Sequence, residues 1–135
     1  MEVRLEYEPG RSVSRSTKVG SFTMPADHSE LQFIYVTTTG RVTGKPREIE
    51  IWFVESGDKL YILAEHFFKT QWVQNIDRNP RIRVRLGERE CDATARILDR
   101  ETDRAAWEVA EQLAREKYGW GEGLPVEITL DELPP

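Results

Sequence analysis

The chain has 135 residues, 39% of them hydrophobic and 32% charged, with a formal net charge of −5. That length suits one domain with a core of its own and is too short for two comfortable ones, and no apolar run approaches the roughly 20 residues of a membrane span. The acidic balance argues against general affinity for nucleic acid, so an anionic ligand has to be met by local positive charge. Acids stand among the first residues, MEVRLEYE, without a continuous apolar stretch, so no signal peptide is read and a cytoplasmic location is expected.

The first 28 residues are read as an N-terminal arm. Val3, Leu5 and Tyr7 alternate with charged neighbours as an edge strand would, but the Gly-, Ser-, Pro- and Arg-rich segment that follows reads as a surface arm, ordered by a partner or ligand. Residues 29–135 are read as the folded domain. Leu31 to Thr38 is a β-branched strand. It runs into Gly40-Arg41-Val42-Thr43-Gly44-Lys45-Pro46-Arg47, a tight cationic turn. Its glycines permit positive φ and close approach, a threonine hydroxyl can donate to a phosphate oxygen, and arginine offers bidentate donors. Two readings of that turn stand side by side: an anion-binding loop, or an ordinary solvated hairpin built from common turn residues.

Glu48 to Glu55 is a second strand, with Ile49, Ile51 and Phe53 on one face and Trp52 and Val54 on the other. Ser56-Gly57-Asp58 turns it into a third, Lys59 to Glu65. Thr70 is placed to cap a short helix, Gln71 to Asp77, which Asn79-Pro80 stops. Ile82, Val84 and Leu86 then alternate with Arg81, Arg83 and Arg85, a face that reads as solvated or as a seat for an anionic tail. Cys91 to Leu98 is the fifth strand, with Cys91 on its buried side beside Ala93, Ala95 and Ile97. Cys91 is the sole cysteine, so no internal disulfide forms. His28 and His66 lack partners at ligand spacing, and no metal site is expected.

Glu101 to Lys117 is the long helix. Ala106, Val109, Ala110, Leu113 and Ala114 form its apolar stripe, with Trp107 at the edge. A glycine-rich loop from Tyr118 to Gly123 and a last strand, Val126 to Leu130, follow. The fold class is therefore mainly β with α (α+β): about six mostly antiparallel strands with one long and one short helix, closed as a barrel to remove exposed edges.

Two stretches carry a family resemblance. TTTGRVTGKPR matches the pattern T-T-G-R-x-S/T-G-x-P-R at Thr38, Thr39, Gly40, Arg41, Thr43, Gly44, Pro46 and Arg47. KTQWVQNIDRNP matches W-x-x-N-x-x-x-N-P at Trp72, Asn75, Asn79 and Pro80. From about Leu31 to Leu130 the chain resembles the deazaflavin-dependent nitroreductase family of the flavin-binding split β-barrel, pyridoxamine-phosphate-oxidase-like superfamily.

The resemblance implies an oxidoreductase that binds a deazaflavin (coenzyme F-420) or FMN and passes a hydride to a small-molecule electron acceptor, a quinone or nitro compound. It implies a cofactor site of Arg41, Thr43, Gly44, Arg47, Ala64, Lys69 and Trp72, a substrate pocket of His66, Phe67 and Phe68, and a homodimer. It assigns no catalytic acid or nucleophile, since in such enzymes the cofactor carries the chemistry.

Two departures from the family pattern stand out. Val42 replaces a basic residue, and Glu65-His66-Phe67-Phe68 replaces a small, glycine-rich stretch. They support an alternative, a non-catalytic split-barrel dimer that binds a cofactor or small ligand. A haem-binding barrel ranks last, because only His28 or His66 could serve as axial ligand.

Overall fold

The computed structural model describes residues 31–131. The expected arm, 1–28, and its edge strand lie outside these residues. The strands are β1 (Phe33–Thr39), β2 (Pro46–Trp52), β3 (Val54–Ser56), β4 (Lys59–Ala64), β5 (Arg81–Leu86), β6 (Arg89–Ile97) and β7 (Leu124–Leu130). The helices are α1 (Gln71–Arg78) and α2 (Arg104–Tyr118). All seven strands join one sheet in the order β2-β1-β5-β6-β7-β4-β3, with every neighbour antiparallel.

Directly paired residues share a face, which sets the core. Val36 stands opposite Ile49 on one side and Val84 on the other, Ile62 opposite Val126, and Ile128 between Leu60 and Ala95. All of these are buried. Such alternation suits β-branched side chains, which pack well on a pleated surface. Helix α1 packs against β1 and β6, and α2 against β3 and β7.

The expected strand from Glu48 to Glu55 is two strands, which makes seven in place of six. Phe53 interrupts it, and one residue carries the chain from one end of the sheet to the other. The joint is satisfied from α2. Phe53 N–H donates to the Tyr118 hydroxyl (3.2 Å), and its carbonyl accepts from Tyr118 Oη (2.9 Å) and Lys117 Nζ (3.2 Å). Trp52 stacks on Tyr118 at 4.2 Å and 7°. Tyr118 and Trp120, in and beside the glycine-rich loop read from the sequence, are half-buried.

Three further expectations are corrected. Helix α2 begins at Arg104 rather than Glu101, because the Asp99 carboxylate accepts the N–H groups of Glu101 and Thr102 and the Asp103 carboxylate that of Asp99, which holds this stretch in turns. The buried stripe of α2 is Trp107, Ala110 and Ala114, while Val109 is 39% exposed, so Trp107 lies at the centre of the contact and not at its edge. Cys91 is half-buried rather than a full core residue.

Candidate functional site

The turn between β1 and β2 is built by register. Thr38 pairs with Arg47 and Thr39 with Pro46, which leaves Gly40 to Lys45 as the loop. Gly40 N–H donates to the Lys45 carbonyl and Gly44 N–H to the Gly40 carbonyl, both at 2.8 Å. Gly44 sits at φ +76, where a side chain would be strained. A Cβ on Gly40 would lie 3.1 Å from the Lys45 carbonyl oxygen and 3.3 Å from Thr43 Oγ1, so glycine lets the loop close this tightly. Thr43 Oγ1 accepts from Lys45 N–H at 3.2 Å, which leaves its own hydrogen to donate elsewhere.

Helix α1 fixes this turn. Asn75 is 4% exposed, and its Oδ1 accepts two bonds from Arg41, one from the backbone N–H at 3.2 Å and one from Nη1 at 2.8 Å. Asn75 Nδ2 donates to Thr38 Oγ1 at 3.0 Å. One turn earlier, Gln71 Oε1 accepts from Arg41 Nη2 at 2.8 Å. The two amides stand four residues apart, on one face of the helix. Between turn and helix opens a cleft of about 320 Å³ lined by Gly40, Arg41, Val42, Thr43, Arg47, Ile49, Gln71, Trp72 and Asn75. It contains two arginines and no carboxylate, with Ile49, Trp72 and the exposed Val42 as its apolar part.

The strand face of Arg81, Arg83 and Arg85 differs in kind. Arg81 meets Asp131 at 2.7 Å and Arg83 meets Asp92 at 2.6 Å, while Arg85 lies 3.5 Å from the buried Glu48 and over the Tyr35 ring. Hydrogen bonds from Arg81 hold the Asp131 carboxyl below the usual carboxylate range. These charges are largely matched within the chain. The Tyr35 hydroxyl donates to Glu50 on the same face.

Of the residues assigned to the site from sequence, Arg41, Thr43, Arg47 and Trp72 come together in the cleft. Gly44 shapes the turn but faces a separate recess beside Arg81 and Arg83. Ala64 is fully buried in β4, paired with Leu124, and does not reach the cleft. Glu65 is half-buried, and His66 and Lys69 are exposed around a 3-10 helical turn, Phe67–Lys69. Phe67 and Phe68 are 37% and 53% exposed, so in this chain they neither join the core nor fill the cleft. The expected cap is absent: Thr70 makes no side-chain capping bond, and its hydroxyl is buried without a partner among the described residues. Gln71 received no role from the sequence, and Asn75 only a place in a motif. Their spacing on α1 was the available signal. Among the described residues no cluster of metal-ligating side chains occurs, and no helix is long and apolar enough to cross a membrane.

The antiparallel sheet, with its cleft between the first hairpin and a short helix, has the pyridoxamine-phosphate-oxidase-like split-barrel fold. A Listeria innocua protein with the provisional name of a pyridoxamine 5'-phosphate oxidase shows this fold at 16% identity and TM-score 0.61, over 78% of this chain and 88% of its own. A structure described as an F420-H2 dependent reductase (FDR-A) is 28% identical with TM-score 0.57, over 74% of this chain and 94% of its own. Another, described as a domain-swapped dimer, is 25% identical with TM-score 0.53, over 74% and 80%. Residues 12–130 match the family model described as F420H(2)-dependent quinone reductase, and the chain belongs to that family of oxidoreductases.

Proposed function

We propose that this chain binds a reduced deazaflavin through the Arg41–Arg47 cleft and uses it to reduce a small quinone or nitro compound. The carrying observation is the donor set of the cleft: two guanidinium groups, a free threonine hydrogen and no carboxylate in the lining. That set suits the anionic, phosphate-bearing part of such a cofactor, because charge-assisted and bidentate donors to phosphate are the strong ones. The cofactor supplies a hydride to a two-electron acceptor. Arg41, Thr43 and Arg47 hold its phosphate, and Trp72 and Ile49 offer an apolar wall. Phe67 and Phe68, exposed just before α1, give a planar acceptor an apolar surface, with His66 beside them. The same donors would take the phosphate of FMN, so the two cofactors compete as readings of one site. Membership of the family favours the deazaflavin. We take the working form as a homodimer, in keeping with the 25% identical relative described as a domain-swapped dimer.

Fluorescence titration with oxidised deazaflavin and, separately, FMN tests the site. Arg41→Ala and Arg47→Ala should each weaken binding roughly tenfold or more, the loss of one charged hydrogen-bonding group. Unchanged affinity in both would refute the assignment. Turnover of a soluble quinone with reduced deazaflavin then separates an enzyme from a barrel that only binds.

A further inference from the structure

Among the described residues, most paired arginines differ from Arg41 in what holds them. Arg81, Arg83, Arg85, Arg96 and Arg115 each hold a carboxylate: Asp131, Asp92, Glu48, the pair Asp103 and Glu127, and Glu111. Arg41 is held by two side-chain amide oxygens, one from Gln71 and one from Asn75. A carboxylate orients a guanidinium and also cancels its charge, whereas an amide orients it and leaves the charge in place. An acid at position 71 or 75 would make the stronger bond to arginine.

We propose that Gln71 and Asn75 are positioning residues that hold Arg41 over the cleft with its charge uncancelled, and that their neutrality sets the affinity for an anionic ligand. Asn75 also receives the Arg41 backbone N–H and ties itself to Thr38, so it fixes the turn as well as the side chain. Arg41 has five N–H donors and spends two on these amides. The remaining donors and the full positive charge face a ligand. The inference rests on reading the cleft as the seat of an anionic cofactor group.

The test is an order of effects that a purely structural role would reverse. Gln71 is exposed, so its replacements leave the fold intact. Gln71→Met removes the acceptor, while Gln71→Glu keeps the acceptor and adds a charge. If the amide only braces Arg41, Gln71→Met is the more damaging change. On the present proposal, Gln71→Glu raises the dissociation constant for oxidised deazaflavin about tenfold, as expected for a unit charge within a few ångströms at a protein surface, and Gln71→Met raises it less. Asn75→Asp should also weaken binding, but it removes the Nδ2 donor to Thr38 as well, so the exposed Gln71 carries the test. The penalty shrinks in high salt.

Gln71→Glu binding as tightly as wild type, or tighter than Gln71→Met, overturns the proposal. The same variants titrated with inorganic pyrophosphate, followed at the Arg41 Nε–H by NMR, separate it from the cofactor assignment. Pyrophosphate binding in the stated order without deazaflavin binding removes the deazaflavin and keeps the positioning role. If neither ligand perturbs Arg41, the positioning role falls too.

Discussion

Phe67 is held at φ +52, a left-handed conformation in which a residue with a Cβ is strained by about 1–2 kcal/mol. The strain turns an exposed phenyl ring outward just before the helix that fixes Arg41. Phe67→Gly relieves it but adds backbone entropy to the unfolded chain, so its urea midpoint should stay close to wild type. Phe67→Val puts a β-branched residue in the same conformation and should cost roughly 1 kcal/mol. Equal stability of the two variants would remove strain as a factor. At this scale the cleft was partly legible. Arg41, Thr43 and Arg47 lie within one turn, where glycine spacing and sequence proximity already force them together. Ala64 lies outside the cleft, fully buried; a small strand residue suits a cofactor face and a tight core contact equally, so the sequence does not separate them. The Cβ that Gly123 lacks would lie 2.8 Å from the Ala64 carbonyl oxygen, so the space beside the Ala64 carbonyl is taken by the residue just before β7.

At the scale of elements, the joint at Phe53 depends on one hydroxyl from α2. Tyr118 Oη accepts the Phe53 N–H, and its single hydrogen is shared between the Gln32 carbonyl at 2.7 Å and the Phe53 carbonyl at 2.9 Å. Tyr118→Phe keeps the ring stacked on Trp52 but leaves the N–H of a residue only 1% exposed without its acceptor. Urea denaturation should show a loss of about 1–3 kcal/mol, the penalty of an unpaired buried donor. No loss would mean that the β2–β3 joint stands without the Tyr118 hydroxyl. The joint was hidden in the sequence because Phe53 continues the alternation of Ile49 and Ile51. In the structure, the burial of Phe53 and Val54 in succession marks the break. The short helix and the arginine strand were legible because a helical or two-residue period runs unbroken through each.

Across the whole molecule, tyrosine protonation gives stability a limit in alkali. Burial, and then the hydrogen bond at 3.0 Å to Glu127, push the Tyr61 hydroxyl up to about 12 from an ordinary value of 10.0. Burial raises Tyr118 as well. The folded state thus retains these protons longer than the unfolded chain. The stability linked to them is complete below pH 10 and is lost as the pH rises toward 12. The urea midpoint of wild type should fall more steeply across that window than that of Tyr61→Phe, which keeps only the Tyr118 part. Parallel curves would contradict the coupling. Sheet order was the least legible property. Strand periods state which residues face inward, but nothing local records that β1 pairs with β5 or β4 with β7.

That order has a consequence for how the protein is made. β7 lies between β6 and β4 and is the last strand of the described fold to leave the ribosome. Until it emerges, β2-β1-β5-β6 and β4-β3 are separate sheets, each with an unpaired edge where β7 will insert. The cleft around Arg41 belongs wholly to the first of these, to the turn between β1 and β2, and to α1. During synthesis, therefore, the elements of the cleft can meet before the barrel closes, while β4 and β6 await the final strand and their exposed edges are open to pairing with neighbouring chains.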